Sequence, residues 1–159
     1  MNTESRPNTI PWPPLLFAGA AALALFTHWL LPLPFPEGGG LKLVGAAMAA
    51  TAILIDVLAF AAFHRHRTTI LPHRGADNLI TTGIYGWSRN PIYLGNLLLV
   101  AGLGLCFGIW ALVIAAPVAL FLTRKLAVER EEQHLAHRFG TAWQDYARTT
   151  HRWFGRSSS

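Results

Sequence analysis

Residues 92–123 read IYLGNLLLVAGLGLCFGIWALVIAAPVALFLT, an apolar run without a charged side chain that decides between two folds. At about 1.5 Å per residue, a single helix of this length would exceed the roughly 30 Å of a bilayer core. A turn near Gly104–Gly108 would instead divide the run into two helices that cross and return. Basic residues on both flanks, among them Arg89 and Arg124, favour this hairpin, because the positive-inside rule places both flanks in the cytoplasm.

Composition assigns the whole chain to the membrane class. Of its 159 residues, 52% are hydrophobic and 13% are charged, whereas an average soluble domain has roughly 25% charged residues. We therefore predict one all-α integral membrane domain with about four transmembrane helices, the last two forming the hairpin. The expected spans are residues 13–33, 41–63, 92–106 and 109–124, followed by a cytoplasmic helical extension over 125–139 and a tail over 140–159.

The positions of the basic residues predict the orientation. Arginines lie before the first span, between the second and third spans and after the fourth, whereas Lys42 lies on the opposite side. We expect a multi-pass protein of a bacterial inner membrane, with both termini in the cytoplasm and no cleavable signal peptide. The net charge of +5 then belongs to membrane flanks rather than to a nucleic-acid site, and the single Cys106 allows no internal disulfide.

Two short polar runs lie at the two ends of the hairpin. In the run 88–95, Asn90 and the following proline are a favourable helix start, and this alone could explain them. A helix N-terminus beside Arg89 could also hold a carboxylate or a phosphate. Glu131 and Glu132 could belong to a solvated helix face, but a carboxylate among apolar neighbours near a membrane needs a partner. The two runs therefore predict a polar site at the cytoplasmic edge of the bilayer.

Both runs resemble motifs of one protein family. Residues 77–95, DNLITTGIYGWSRNPIYLG, are similar to the signature of the isoprenylcysteine carboxyl methyltransferase and phospholipid methyltransferase superfamily, and so are residues 131–146, EEQHLAHRFGTAWQDY. The resemblance covers roughly residues 64–154. It implies an integral membrane enzyme that transfers a methyl group from S-adenosylmethionine to a carboxyl, amine or hydroxyl group of a lipophilic or membrane-embedded acceptor.

The resemblance also implies which residues contact the cofactor. A helix N-terminus suits the cofactor carboxylate, carboxylates suit its ammonium or ribose hydroxyls, and aromatic faces suit its purine and sulfonium. Arg89 joins the implied residues because of its charge beside the helix start. The cofactor-binding candidates are Asp77, Asn78, Leu79, Ile80, Tyr85, Arg89, Asn90, Pro91, Tyr93 and Glu131.

The acceptor half of the resemblance is less complete. Prenylcysteine methyltransferases place a substrate-binding arginine four residues before the first glutamate of the pair, and that position is Ala127 here. Arg124, Lys125 and Arg130 are the nearby cations that could take its role. A prenylated-protein substrate is therefore not assigned, and a lipid or lipid-like small molecule is the expected partner.

The reaction needs a base only for some acceptors. An amine or hydroxyl acceptor must lose a proton, and Glu132, Asp56 and His64 are the catalytic candidates. Asp56 lies within the second span, where an acid is a functional suspect unless it pairs with a loop arginine. No metal is expected, because none of the seven histidines has carboxylate or thiolate company at metal-ligand spacing.

Two other functions stay open at the level of sequence. One is an NADPH-dependent membrane reductase of the sterol reductase type, although the chain is short for that class. The other is a non-catalytic membrane module in which the motifs are helix caps and a basic flank. Binding of S-adenosylhomocysteine or of NADPH would distinguish these from a methyltransferase.

Overall fold

The computed structural model describes residues 12–36, 38–65 and 79–156, and its regular elements within these ranges are helices. They are α1 (Trp12–Leu30), α2 (Gly39–Arg65), a 3₁₀ turn (Gly83–Gly86), α3 (Pro91–Phe107), α4 (Trp110–Thr123), a π turn (Arg124–Val128), α5 (Glu129–Phe139) and α6 (Thr141–Thr149). The π turn joins α4 and α5 into one continuous helix. The prediction of an all-α fold is confirmed.

Three helical segments are long and apolar enough to cross a bilayer: Pro13–Leu30, Gly39–Arg65 and the continuous Trp110–Phe139. The fourth apolar helix, α3, is shorter, with 17 residues. Large apolar side chains project outward from these helices; Leu43, for example, is 72% exposed. Lipid is the environment in which such surfaces are stable, so the chain is an integral membrane protein of the helical type.

The structure differs from the predicted boundaries most at the end of α1 and in the C-terminal region. α1 ends at Leu30 rather than at residue 33, because Pro32 disfavours helical geometry in the residue before it. The region 140–159, expected as a tail, contains the amphipathic helix α6. Gly140, with a φ of +53°, separates α5 from α6.

The hairpin between α3 and α4 depends on two glycines. Gly108 ends α3 in the left-handed conformation, with a φ of +71°. Gly104 allows the two helices to meet, since a Cβ atom there would lie 2.8 Å from the Val113 side chain. The hairpin and its turn near Gly104–Gly108 therefore form as the sequence predicts.

Small residues bring α2 and α3 into backbone contact. A Cβ atom on Gly102 would lie 2.7 Å from the carbonyl oxygen of Gly45, and one on Gly45 would lie 2.6 Å from that of Gly102. Ala52 and Ala59, both fully buried, continue the stripe along α2 at a spacing of seven residues. This close packing, typical of membrane helices, fixes α2 along α3, while α1 packs mainly on α4.

The loop between α1 and α2 covers the hairpin turn. The indole nitrogen of Trp110 donates a hydrogen bond to the carbonyl of Pro34 at 3.1 Å, and the rings of Phe35 and Trp110 lie 4.5 Å apart. The start of α3 and the end of α4 consequently lie together at the other end of the bundle. We call this the polar end, because α5, α6 and the residues before α3 gather there.

Candidate functional site

The candidate site lies where the first turn of α3 meets α5. The hydroxyl of Tyr93 donates a hydrogen bond to Oε2 of Glu131 at 3.2 Å, across 38 positions of the chain. Each residue comes from one of the two polar runs that the sequence singles out. The hairpin and the continuous α4–α5 helix thus bring the two runs into contact.

The π turn determines where Glu131 points. In this turn the N–H of Glu129 bonds to the carbonyl of Arg124, five residues earlier, so the helix carries more residues per turn here than an α-helix. Its inner side is tightly packed, since Thr123, Ala127 and Val128 are at most 1% exposed. Such turns occur frequently at functional sites, and this one lies directly before the glutamate pair.

Tyr85 stands at the centre of the polar end. Its ring packs edge-on against Phe63 of α2 at 5.6 Å, and its backbone carbonyl accepts a hydrogen bond from the hydroxyl of Tyr146 at 2.7 Å. Burial raises the pKa of the Tyr85 hydroxyl above its ordinary value, and the negative charges of Glu131 and Asp56 add to this effect.

Glu132 is held by two guanidinium groups. Arg152 donates to both of its oxygens, from Nε to Oε1 at 2.9 Å and from Nη2 to Oε2 at 2.6 Å, and Nη1 of Arg89 lies 3.2 Å from Oε1. These bonds to Glu132 raise the pKa of Arg152 further above its ordinary value. Arg89 also lies over the ring of Trp143 at 5.5 Å, a cation–π contact. We call Arg89, Glu132 and Arg152 the clamp.

The residues before α3 are also joined to the segment after α6 through the main chain. The side-chain amide of Asn90 donates to the carbonyl of Arg152 at 3.2 Å, and Ser88 Oγ donates to the same oxygen at 3.4 Å. The N–H of Arg89 donates to the carbonyl of His151 at 3.1 Å. Asn90 is the N-cap residue of α3, as predicted, but its side chain makes no capping hydrogen bond, because its amide donates to the C-terminal segment instead.

This arrangement leaves the first turn of α3 without a side-chain cap from the described residues. Pro91 occupies its first position, as predicted, and the turn retains free N–H groups and a partial positive charge. An anionic group fits such a helix start. With the Tyr85 and Tyr93 rings and the Glu131 carboxylate nearby, these residues fit the carboxylate, cationic and aromatic parts of S-adenosylmethionine.

Other predicted cofactor residues lie on the approach to α3. Asp77 and Asn78 are outside the described residues. Leu79 is partly exposed and Ile80 is buried, and both lie just before the 3₁₀ turn.

The predicted substrate residues lie outside this arrangement. Arg124 and Lys125 both contact Glu129, at 3.2 and 3.3 Å, and Arg130 is exposed. Ala127, at the position of the prenylcysteine enzymes' arginine, is 1% exposed and packed inside the π turn.

The three candidate bases have different surroundings. Glu132 is engaged in the clamp, and His64 is exposed near the end of α2. Asp56 lies between α2 and α3, beside Gly95. The sequence did not predict the roles of Arg152 and Tyr146. Nothing in a basic C-terminal segment indicates which residue an arginine such as Arg152 will contact. Tyr146, by contrast, lies in the second motif and could have been included.

Comparisons with known proteins match the part of the chain that contains the candidate site. The family model described as phospholipid methyltransferase matches residues 41–142, more than half of the chain and all of α2 to α5 apart from the first residues of α2. The nickel-cobalt-cadmium resistance protein NccN of Alcaligenes xylosoxydans xylosoxydans is 38% identical over 86 residues, which cover 54% of this chain and 39% of that protein. The chain thus matches less than half of this relative's length. No solved structure matches.

Proposed function

The chain belongs to the phospholipid methyltransferase family, and from this we propose that it is an S-adenosylmethionine-dependent membrane methyltransferase with a lipophilic acceptor. The hydrogen bond between Tyr93 and Glu131 carries the proposal. Either polar run alone could be a helix start or a solvated face. A contact between them, beside an uncapped helix start, is what one shared cofactor pocket requires.

The roles of the residues follow from their chemistry. The start of α3 would hold the cofactor carboxylate, and Glu131 would accept hydrogen bonds from its ammonium or ribose hydroxyls. Tyr93 fixes the direction of the Glu131 carboxylate by donating to it. The rings of Tyr85 and Tyr93 offer faces for the purine or the sulfonium. When bound, the cofactor supplies an electrophilic methyl group.

The acceptor would reach the site from the lipid phase, and the protein would hold its nucleophilic atom in line with the methyl group. We place the polar end at the cytoplasmic face, where the exposed Arg65, Arg130 and Arg148 agree with the positive-inside rule. The cofactor would enter there from the aqueous side. The membrane is expected to be a bacterial inner membrane.

Neither a metal nor NADPH is part of this proposal. NccN is named for metal resistance, but among the residues that the structure describes no group of three or more His, Cys, Asp or Glu is placed to hold a metal ion. The family match favours methyl transfer over reduction. A reductase would bind NADPH and ignore S-adenosylhomocysteine, so competition between the two ligands separates these functions.

Calorimetric titration of detergent-purified protein with S-adenosylhomocysteine tests the proposal. We expect binding by the parent protein, and a loss of about tenfold or more in affinity on Glu131→Gln, since hydrogen bonds to a charged group contribute about 1.5–3 kcal/mol. Glu129→Gln is the matched control, because Glu129 lies on the same helix and forms its ion pairs with Arg124 and Lys125 rather than with Tyr93. A folded parent protein that does not bind the ligand rules the proposal out. Equal losses of affinity in the two variants would remove Glu131 from the proposed cofactor contacts.

A further inference from the structure

Two large aromatic side chains of the polar end are exposed and pack on each other. Trp87 is 54% exposed and Phe154 is 71% exposed, and their ring centroids lie 6.0 Å apart at an interplanar angle of 31°. Trp87 follows the 3₁₀ turn, and Phe154 lies in the segment after α6. Trp143 and Tyr146 of α6, by contrast, are each 6% exposed. We call Trp87 and Phe154 the aromatic pair.

Hydrogen bonds of the main chain hold the aromatic pair in this outward position. The N–H of Gly155 donates to the carbonyl of Trp87 at 2.8 Å, and the N–H of His151 donates to the carbonyl of Gly155 at 2.9 Å. Gly155 has a φ of +107°, a conformation that residues with a side chain rarely adopt. The N–H of Trp87 donates in turn to the carbonyl of Ile84 in the 3₁₀ turn, at 3.1 Å. The backbones of the two residues are therefore fixed to each other.

The aromatic pair lies at the level where the membrane helices end. The 3₁₀ turn packs on α2, with Tyr85 edge-on to Phe63, two residues before the helix ends at Arg65. Pro91, four residues after Trp87, begins the apolar helix α3. The ends of membrane-spanning helices lie near the headgroup layer, where tryptophan is enriched because its ring is amphipathic. The aromatic pair is therefore placed close to that layer.

Exposed arginines flank the aromatic pair. Arg65 ends α2, on which the 3₁₀ turn packs, and Arg156 follows Phe154 by two residues. Arginines beside a membrane surface attract anionic phospholipid headgroups, whereas exposed aromatic rings are unfavourable in water. A stable protein partner would need roughly 800 Å² of surface on each side, much more than two rings supply. Aromatic rings between arginines therefore fit a lipid surface better than a protein surface.

We propose that the aromatic pair inserts into the headgroup layer of the leaflet at the polar end, with Arg65 and Arg156 binding the phosphates of anionic phospholipids around it. This inference goes beyond the proposed methyl transfer and does not depend on the reaction at the site. The segment that carries Phe154 also carries Arg152, which holds Glu132. The bilayer and the clamp would thus fix the same short segment.

Fluorine NMR of the protein labelled with 5-fluorotryptophan tests the depth of Trp87. The chain has six tryptophans, and Trp87→Phe identifies the Trp87 signal. Phe154→Leu identifies it independently, because removal of the neighbouring ring shifts this signal, so the test survives a failure of Trp87→Phe to fold. The parent protein is placed in nanodiscs. Its spectrum is recorded with a nitroxide on the lipid chain near the headgroup and, separately, with a water-soluble gadolinium chelate.

We expect the nitroxide lipid to broaden the Trp87 signal strongly and the chelate to broaden it much less. The signal of Trp143, which is buried at the same end of the bundle, is the control and should be affected less than that of Trp87 by the nitroxide lipid.

The preference for anionic lipid is tested by moving the label. Nitroxide on phosphatidylglycerol is compared with nitroxide on phosphatidylcholine, at equal mole fractions in one mixed bilayer. We expect labelled phosphatidylglycerol to broaden the Trp87 signal more, and this difference to shrink in Arg65→Gln and in Arg156→Gln. Arg148→Gln is the matched control and should leave the difference unchanged, because it removes an exposed arginine of α6 that lies 3.9 Å from Asp145.

Three results overturn the inference. Broadening of the Trp87 signal mainly by the chelate would place the aromatic pair in water. No broadening by either agent would mean that protein covers the pair, as in contact with a second copy of the chain. Equal broadening by the two labelled lipids would show that anionic headgroups are not the partner. None of these measurements needs a methyl donor, so their outcome is independent of the proposed function.

Discussion

Arg152 donates two hydrogen bonds to the carboxylate of Glu132, at 2.9 and 2.6 Å, across 20 positions of the chain. The contact fixes the segment after α6 to α5, and Arg89 extends it to the residues before α3. Three parts of the chain that meet at the candidate site are thus held by one carboxylate. The clamp is a means of keeping the Tyr93–Glu131 pair in place rather than a source of a free base.

Removal of Glu132 should destabilise the polar end strongly. The side chains of Arg89, Glu132 and Arg152 are 14%, 15% and 27% exposed, so Glu132→Ala leaves two poorly solvated guanidinium groups close together. We expect the free energy of unfolding to fall by about 3 kcal/mol, as for breaking a buried ion pair. Thermal or denaturant unfolding in detergent measures it. Asp145→Ala, which removes an exposed ion pair, should have no measurable effect; equal effects of the two variants would contradict this view of the clamp.

Substitution of Asn90 by serine separates two possible roles. Serine is as good a helix cap as asparagine, but its side chain is too short to reproduce the amide bond to the Arg152 carbonyl. We expect Asn90→Ser to lower the free energy of unfolding by about 1 kcal/mol, the usual contribution of one hydrogen bond. An unchanged stability would restore the view that Asn90 serves only as a cap.

Tyr93 and Glu131 should act as a coupled pair. Tyr93→Phe removes the hydroxyl that orients the carboxylate, and Glu131→Gln removes the charge that accepts the bond. We expect each variant to weaken binding of S-adenosylhomocysteine, and the double variant to lose less than the sum of the two by about 0.5–3 kcal/mol. A calorimetric double-mutant cycle measures this coupling. Strictly additive losses would mean that the two residues bind the ligand independently.

Gly102 should tolerate no larger side chain. A methyl group there would lie 2.7 Å from the Gly45 carbonyl, a backbone atom that cannot turn away. We expect Gly102→Ala to cost about 1–3 kcal/mol of stability by overpacking the contact of α2 with α3. Gly19→Ala is the matched control, since a methyl group on Gly19 of α1 meets nothing within 4 Å. A higher melting temperature for Gly102→Ala would contradict the close approach of the two helices.

Alkaline pH should reveal the buried tyrosines. Burial raises the pKa of Tyr146 above its ordinary value of 10.0, so the folded state favours the protonated hydroxyl that donates to Tyr85. This contribution to stability is fully present below pH 10 and is lost as the pH rises through the folded-state pKa. We expect Tyr146→Phe to be less stable than the parent by about 1 kcal/mol at pH 8, and the difference to shrink above pH 10. Unfolding curves of the parent and of Tyr146→Phe, collected between pH 8 and 11, measure this difference in stability.

Much of the fold follows from the sequence because long-range information is hardly needed for it. The apolar runs, the glycines at 104 and 108 and the placement of arginines specify helices and a hairpin through local geometry and membrane charge asymmetry. The exception is α6: its alternation of Trp143 and Tyr146 with polar residues is amphipathic, but it was expected as part of a tail. A nine-residue helix carries too few turns for its pattern to stand out.

The site was only partly predictable, because the sequence does not show which side chains contact one another. Tyr93 and Glu131 could be selected because they lie in the two motifs that carry the family resemblance, at the two ends of one hairpin. Nothing in the sequence indicates that Asn90 bonds to Arg152, or that Glu132 faces two arginines while its neighbour Glu131 faces a tyrosine. Neighbouring glutamates point in different directions, and only the packing of α5 decides which direction meets which partner.

The different partners of Glu131 and Glu132 depend on the π turn Arg124–Val128. The turn adds one residue to a helix that advances about 100° per residue, so everything after it is rotated relative to α4. If residues 124–128 were α-helical instead, α5 would be rotated by about 100°, so that Arg130 would face Tyr93 and Glu131 would face the two arginines. The register set by the π turn thus decides which of two neighbouring glutamates lies beside Tyr93, and a relative without this turn keeps the same register only if its alignment gap falls within 124–128.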